Sequence, residues 1–117
     1  MRATVALGRF GEDLAAEYLR EQGLVVLDRN WRCPRGELDI IARDGSALVV
    51  CEVKTRRRTT YGAPIEAVGP RKLRRLRELA LHWLDEQQIH VPHIRIDVIG
   101  ILQPPGGTPI IEHLRGV

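Results

Sequence analysis

Hydrophobic and polar residues alternate along two adjacent segments in the middle of the chain, and this pattern predicts a β-hairpin. The two strands are Glu37–Arg43 and Ala47–Lys54. Between them, Gly45-Ser46 suits a two-residue hairpin loop with glycine at the first central position. Counting back from this turn along both strands places Asp39 opposite Glu52.

One face of the predicted hairpin is apolar throughout, whereas the other is apolar only near the turn. Because side chains alternate across a strand, the apolar face contains Leu38, Ile40, Ala42, Ala47, Val49, Cys51 and Val53. The second face carries Glu37, Asp39, Ile41, Leu48, Val50, Glu52 and Lys54. A shift of one residue would mix the two faces, which favours this register.

The remaining periodicities predict an α/β protein with the element order αβββαββ. The other elements are a helix from Gly8 to Gln22, a strand over 24–32, a loop from Thr55 to Gly69, a helix from Pro70 to about Gln88, a strand over 94–101 and an edge strand over 110–115. Within the strand over 94–101, Asp97 is interpreted as a structural residue that pairs with Arg95 or with a neighbouring strand, and a role in the site is the alternative. A chain of this length is expected to form one domain, residues 1–117.

The opposed carboxylates of Asp39 and Glu52 are the first candidate for chemistry. Like charges at a directly opposed strand position are destabilising, so such a pair favours a bound cation or a shared proton. Lys54 lies two residues after Glu52 on the same face and adds a donor that could hold or deprotonate a water. The alternative is a solvated strand end in which Lys54 pairs with Glu37.

The first predicted helix carries a second candidate carboxylate. Its apolar arc contains Leu14, Ala15, Ala16, Tyr18 and Leu19, and Glu12 lies inside this arc. One interpretation is a favourable interaction of Glu12 with the helix N-terminus. The other is a carboxylate directed at the hairpin site.

Positive charge is concentrated in one segment of the chain. Residues 54–77 contain nine cations and one acid, which gives +8, whereas the remainder has nine cations and 14 acids, which gives −5. Such segregation favours a polyanion as partner, because cationic surfaces attract phosphates. The candidate nucleic-acid-binding residues are Arg56, Arg57, Arg58, Arg71, Lys72, Arg74 and Arg75. An acidic partner protein is an alternative.

Composition limits the class of protein further. No apolar stretch approaches the roughly 20 residues that span a bilayer, and the N-terminal residues lack the apolar core of a signal peptide. Cys33 and Cys51 are 18 residues apart, which does not indicate a disulfide framework. We therefore expect a cytoplasmic protein without membrane contact.

Several short motifs, taken in order, resemble the YraN-type family of small bacterial proteins. They are Gly11-Glu12, Asn30-Trp31-Arg32, Gly36-Glu37-Leu38-Asp39, Glu52-Val53-Lys54-Thr55-Arg56, Tyr61-Gly62, Lys72 and Ile96-Asp97-Val98. This family in turn looks like the PD-(D/E)xK nuclease superfamily, close to archaeal Holliday-junction resolvases. The resemblance implies a restriction-endonuclease-like fold, in which helices flank a mixed sheet.

The resemblance also implies a role for each matching residue. Asp39 and Glu52 would be metal ligands, Lys54 the water-activating or transition-state-stabilising cation, and Glu12 the helical acid that completes the site. The proline that names the superfamily motif is replaced here by Leu38. The implied cofactor is Mg²⁺ or Mn²⁺, which usually needs only one or two protein carboxylates.

The leading hypothesis from the sequence is a metal-dependent endonuclease that acts on duplex or branched DNA, with DNA repair or recombination as its context. The alternative is a non-catalytic nucleic-acid-binding module that keeps the nuclease fold. Only five aromatic residues are present, so a stacking platform for single strands has little support. Tyr61 is interpreted as a loop anchor, with base stacking as the alternative. Symmetric cleavage of a junction would require a homodimer.

Overall fold

In the part of the chain that the structure describes, two helices and five strands follow one another in the predicted order. A computed structural model of the protein describes residues 3–58 and 68–117, without the side chains of Ala3 and Thr4. The elements are α1 (Ala3–Glu21), β1 (Val25–Cys33), β2 (Gly36–Asp44), β3 (Ala47–Arg56), α2 (Pro70–Gln87), β4 (His93–Leu102) and β5 (Ile110–Leu114). Tyr61 and the loop around it lie outside the described residues, so its interpretation stays a prediction.

The five strands form one mixed sheet in the order β1-β2-β3-β4-β5. Neighbouring strands are antiparallel except β3 and β4, which are parallel and are connected through α2. The β2–β3 turn has the predicted register, with Asp44 opposite Ala47 and Ile40 opposite Cys51. Gly45 has a φ of 59°, as a loop with glycine at the first central position requires.

Each helix covers a different face of the sheet. One core cluster joins Leu76, Leu79, Ala80, Trp83 and Leu84 of α2 to Leu48 and Val50 of β3. The other cluster joins Ala15, Ala16 and Leu19 of α1 to Val49 and Cys51 of β3. Because successive residues of β3 belong to opposite clusters, the strand is buried on both sides, as central strands of α/β sheets are.

Two element boundaries differ from the prediction by more than one residue. Helix α1 begins at Ala3 rather than Gly8, because residues 3–7 contain no helix breaker and Gly8 is tolerated within the helix. Strand β3 continues through Thr55 to Arg56, which the sequence assigned to a loop. Pairing with β4 accounts for this extension, since Thr55 lies opposite Ile101 and Arg56 opposite Leu102.

The prediction of a uniform apolar face was wrong at Leu38. Leu38 packs with Trp31 in the α2 cluster, whereas Ile40 packs in the α1 cluster and Ile41 again in the α2 cluster. Alternation is therefore interrupted at Asp39. The β1–β2 ladder is interrupted at the same place, because Trp31 pairs with Leu38 and Arg29 with Ile40, but Asn30 and Asp39 between them are unpaired.

The backbone of Asn30 explains how both strands accommodate this interruption. Asn30 has a φ of 54°, in the left-handed region that asparagine tolerates better than most residues. As a result, Arg29 and Asn30 both direct their side chains toward α1. Asp39, like its neighbour Ile40, also lies on the α1 side.

The architecture is a mixed α/β sheet with a helix on each face, which agrees with a restriction-endonuclease-like fold. Within the described ranges, neither helix combines the length and the hydropathy that crossing a bilayer demands.

Candidate active site

Asp39 lies in a cleft of about 950 Å³ between α1 and the ends of the central strands. Its Oδ2 accepts a hydrogen bond of 2.9 Å from the backbone N–H of Val53. Burial, followed by the negative charge of Glu52, raises the pKa of Asp39 to about 7. Glu12 and Glu37 act in the same direction, so Asp39 lies where several carboxylates are close together.

Glu12 lines the same cleft as Asp39. Because α1 begins at Ala3, Glu12 is the tenth residue of the helix, and the predicted interaction with the helix N-terminus is wrong. Its Oε1 accepts hydrogen bonds from Asn30 Nδ2 at 2.8 Å and from Arg29 Nε at 3.2 Å. The alternative interpretation, a carboxylate directed at the hairpin site, agrees with this position.

Glu52 is buried and lies between two lysines. Its Oε1 is 3.3 Å from Lys54 Nζ and 3.3 Å from Lys72 Nζ of α2. The alternative in which Lys54 pairs with Glu37 is wrong, since Glu37 pairs with Arg32 at 3.2 Å.

The predicted site residues contact different helices. Asp39 and Glu12 share the cleft beside α1, whereas Glu52 contacts Lys72 of α2. The expectation that Asp39 and Glu52 share one face is therefore wrong, because the interruption at Asp39 turns its side chain toward α1. The two carboxylates nevertheless remain close enough for Glu52 to raise the pKa of Asp39.

The carboxylates of Glu12, Asp39 and Glu52 each contact protein donors through one of their two oxygens. Glu12 Oε1, Asp39 Oδ2 and Glu52 Oε1 bind protein donors. Among the described residues, the second oxygen of each group accepts no hydrogen bond. Each group is thus held through one oxygen, and a ligand could approach the other.

The donor chemistry of Asp39 and Glu52 fits a hard cation such as Mg²⁺ or Mn²⁺. These ions prefer oxygen ligands, and Mg²⁺ retains several waters beside one or two carboxylates. A cation would also relieve the repulsion that raises the pKa of Asp39. In residues 3–58 and 68–117, His, Cys, Asp and Glu side chains do not converge in groups of three or more that could hold a metal ion. Any metal site here would therefore need water or substrate oxygens as further ligands.

The predicted basic residues lie on α2 and at the end of β3. Arg71, Arg74 and Arg75 are exposed on the first two turns of α2, and Arg57 and Arg58 are exposed after β3. Arg56 is half-buried. Lys72 connects this basic surface to the carboxylates through its contact with Glu52.

A close approach of α1 to β3 sets the position of Glu12. A Cβ atom on Gly11 would overlap Thr55 Oγ1 and lie 2.8 Å from both Thr55 Cβ and Cγ2. Only glycine therefore allows this contact without a shift of the helix. Since Glu12 follows Gly11 directly, the contact places it beside the end of β3.

Asp97 is a structural residue, as the sequence indicated. It is fully buried, and Arg95 Nε donates to its Oδ1 at 2.9 Å. Although burial opposes ionisation, hydrogen bonds from Arg95, His113 and Gly116 lower the pKa of Asp97. The contact with His113, at 2.7 Å, joins β4 to β5, so Asp97 pairs both with Arg95 and with a neighbouring strand.

Sequence reasoning did not identify Arg29 and Asn30 as partners of Glu12. A signal was present, since asparagine has low strand propensity yet occupies the middle of β1. An asparagine at such a position indicates a left-handed backbone or a side-chain hydrogen bond, and here it has both.

Comparison with known proteins supports the resemblance noted in the sequence. The profile of the uncharacterised protein family UPF0102 matches residues 11–101. A UPF0102 protein of Streptomyces griseus subsp. griseus is 57% identical over 118 residues, covering 100% of this chain and 99% of its own length. UPF0102 proteins of Pseudarthrobacter chlorophenolicus and Frankia alni are 51% and 52% identical, covering 100% and 99% of this chain and 89% and 97% of their own lengths. The chain therefore belongs to the UPF0102 family, the YraN-type family that its motifs resemble.

Proposed function

We propose that this protein is a metal-dependent endonuclease that cleaves structured DNA. The observation that carries the proposal is a cluster of carboxylates around Asp39: Glu52, which lies 3.3 Å from Lys54, raises the pKa of Asp39, and Glu12 lines the same cleft as Asp39. Each carboxylate contacts protein donors through one oxygen, and its other oxygen accepts no hydrogen bond from the described residues.

The roles of the residues follow from their positions. A bound Mg²⁺ or Mn²⁺ would lower the pKa of a water ligand and stabilise negative charge on the phosphate. Asp39 and Glu52 would hold that ion through their other oxygens. Lys54, which is 3.3 Å from Glu52, would orient the attacking water or stabilise charge in the transition state. Glu12 would accept a hydrogen bond from water in the cleft beside Asp39.

The basic residues would bind the DNA backbone. Arg56, Arg57 and Arg58 and the α2 residues Arg71, Lys72, Arg74 and Arg75 would contact phosphates, which position a duplex without reading its sequence. Lys72 has a particular place in this scheme, because it contacts both the basic surface and Glu52. An arriving phosphate could take over the interaction of Lys72 and release Glu52 for the metal.

The test is cleavage of a labelled set of nucleic acids: a four-way junction, a flap, a duplex, a single strand and an RNA hairpin. Each is incubated with Mn²⁺, Mg²⁺ or EDTA. We expect metal-dependent cutting of branched or duplex DNA that is lost in Asp39→Asn and Glu52→Gln. Glu17→Gln makes the same chemical change at an exposed position of α1 and should cut like the wild type. Cutting that survives in Asp39→Asn would identify a contaminating nuclease and contradict the proposal.

A second candidate is a nucleic-acid-binding module without catalytic activity. The observation that favours it is the double contact of Glu52 with Lys54 and Lys72, which satisfies the charge of Glu52 without a metal. This candidate predicts DNA binding that persists in EDTA, with Asp39→Asn binding as tightly as the wild type or more tightly. It also predicts that no substrate in the set is cut.

A further inference from the structure

Three nitrogen–oxygen contacts converge on one oxygen of Glu12. Asn30 Nδ2 lies 2.8 Å from Glu12 Oε1, Arg29 Nε lies 3.2 Å from it, and Arg29 Nη2 lies 3.1 Å from it. Side chains of glutamate normally lose considerable rotamer freedom when fixed. Here the guanidinium of Arg29 and the amide of Asn30 together fix the position of Oε1.

The two donors reach Glu12 only because β1 departs from regular strand geometry. In a regular strand, Arg29 and Asn30 would lie on opposite faces. The left-handed backbone of Asn30, with a φ of 54°, brings both side chains to the α1 side. The same interruption turns Asp39 of β2 toward the cleft that Glu12 lines. One local distortion thus brings Glu12, its two donors and Asp39 together.

We propose that Asn30 and Arg29 are positioning residues that hold Glu12 Oε1, so that Glu12 Oε2 faces the cleft beside Asp39. This inference rests on the proposed function. Arg29 also binds Asp13 Oδ1 at 2.6 Å, which fixes the guanidinium from a second direction. Asn30 has no other side-chain hydrogen bond among the described residues, so its amide serves Glu12 alone.

Substitutions at Asn30 can separate the effect of its backbone conformation from the effect of its side-chain hydrogen bond. Asn30→Gly retains a residue that adopts positive φ readily and removes only the amide donor. Asn30→Asp retains the size and the tolerance of positive φ but replaces the donor with a carboxylate that repels Glu12. The matched control is Gln88→Gly at the end of α2, because Gln88 also has a φ of 54° and lies outside the cleft.

The experiment measures Mn²⁺ affinity of the metal-free protein by electron paramagnetic resonance, and kcat and KM for DNA cleavage. Loss of an outer partner of a site residue typically costs 10–100-fold in metal affinity or activity. We expect Asn30→Gly and Asn30→Asp to lower kcat by about 10–100-fold and to weaken Mn²⁺ binding. KM for DNA should remain within about twofold, since the Asn30 side chain binds Glu12 of α1 and not the basic residues of α2. Gln88→Gly should match the wild type in every measurement.

The outcomes separate this inference from the proposed function. Wild-type cleavage together with an unaffected Asn30→Gly variant would overturn the positioning role and leave the nuclease proposal intact. An equal loss in Gln88→Gly would also overturn it, because the effect would then be one of general stability. A wild-type protein that neither binds Mn²⁺ nor cuts DNA would overturn the proposed function, and the positioning role with it.

Discussion

The contact between Gly11 and Thr55 leads to a prediction that a pair of alanine variants can test. Gly8 and Gly11 both lie inside α1, so replacing either with alanine should favour the helix by about 1 kcal/mol. The surroundings of the two residues differ. A Cβ atom on Gly8 would have no heavy atom within 4 Å outside its own turn, whereas a Cβ atom on Gly11 would overlap Thr55.

The expected effects on stability therefore differ. Gly8→Ala should raise the free energy of unfolding by about 1 kcal/mol, which is the helix-propensity gain alone. Gly11→Ala makes the same gain but must also move α1 away from β3, and overpacking of this kind typically costs about 1–3 kcal/mol. The difference between the two variants isolates this cost. It should be about 1–3 kcal/mol, with Gly11→Ala the less stable.

The free energy of unfolding of both variants is measured by urea denaturation, with circular dichroism as the signal. A double variant, Gly11→Ala with Thr55→Gly, provides a further check, because removing the Thr55 side chain removes the atoms that the new Cβ would meet. We expect the cost of Gly11→Ala to fall in the Thr55→Gly background. Equal stability of Gly8→Ala and Gly11→Ala would refute the close approach of α1 to β3.

Three further predictions concern charge and burial. Because the pKa of Asp39 is raised from 3.8 to about 7, the folded protein holds a proton that the unfolded chain has released, so stability should fall as pH rises across this range. Asp39→Asn should remove this pH dependence and raise the free energy of unfolding at pH 8 by about 1 kcal/mol or more; an unchanged urea midpoint at pH 8 would contradict this. The logarithm of the DNA-binding constant should fall less steeply with the logarithm of the salt concentration in Arg74→Ala, by about 0.9 in the slope, whereas Arg20→Ala on α1 should leave the slope unchanged. Fluorescence anisotropy with a labelled duplex measures the binding constants of both variants. Burial raises the pKa of the Cys51 thiol, so a thiol reagent at pH 8 should modify Cys33 in the folded protein and both cysteines only in denaturant; rapid modification of Cys51 would indicate an open core.

The sequence was sufficient to predict those elements that depend on local patterns. The β2–β3 hairpin followed from strict alternation around Gly45, and its register was confirmed from Asp44–Ala47 to Ile40–Cys51. The second helix followed from a proline at its first position and a leucine-rich stripe, and it spans Pro70–Gln87. These signals are local, and tertiary packing did not override them.

The geometry of the candidate site was not predicted from the sequence, because it depends on strand distortion and on the packing of helices against the sheet. Alternation alone placed Asp39 on the same face as Glu52, but the interruption opposite Asn30 reversed the side-chain direction of Asp39. The contact of Lys72 with Glu52 depends on how α2 packs across the sheet, 20 residues later in the chain. The hydrophobic periodicity of a strand or a helix, two or 3.6 residues, indicates which face is buried but does not predict such distortions and contacts.

The distortion at Asn30 and Asp39 has a physical cost that favours a functional explanation. A left-handed asparagine, two unpaired strand positions and a carboxylate with a raised pKa each oppose stability. A purely structural arrangement could avoid all three with a regular β1–β2 ladder and an apolar residue at position 39. Instead, the distortion brings Asp39 beside Glu12, while Glu52 approaches from the other side with Lys54 and Lys72. Because perturbed carboxylates and strained backbone concentrate at functional sites, this combination supports a site selected for chemistry rather than for stability.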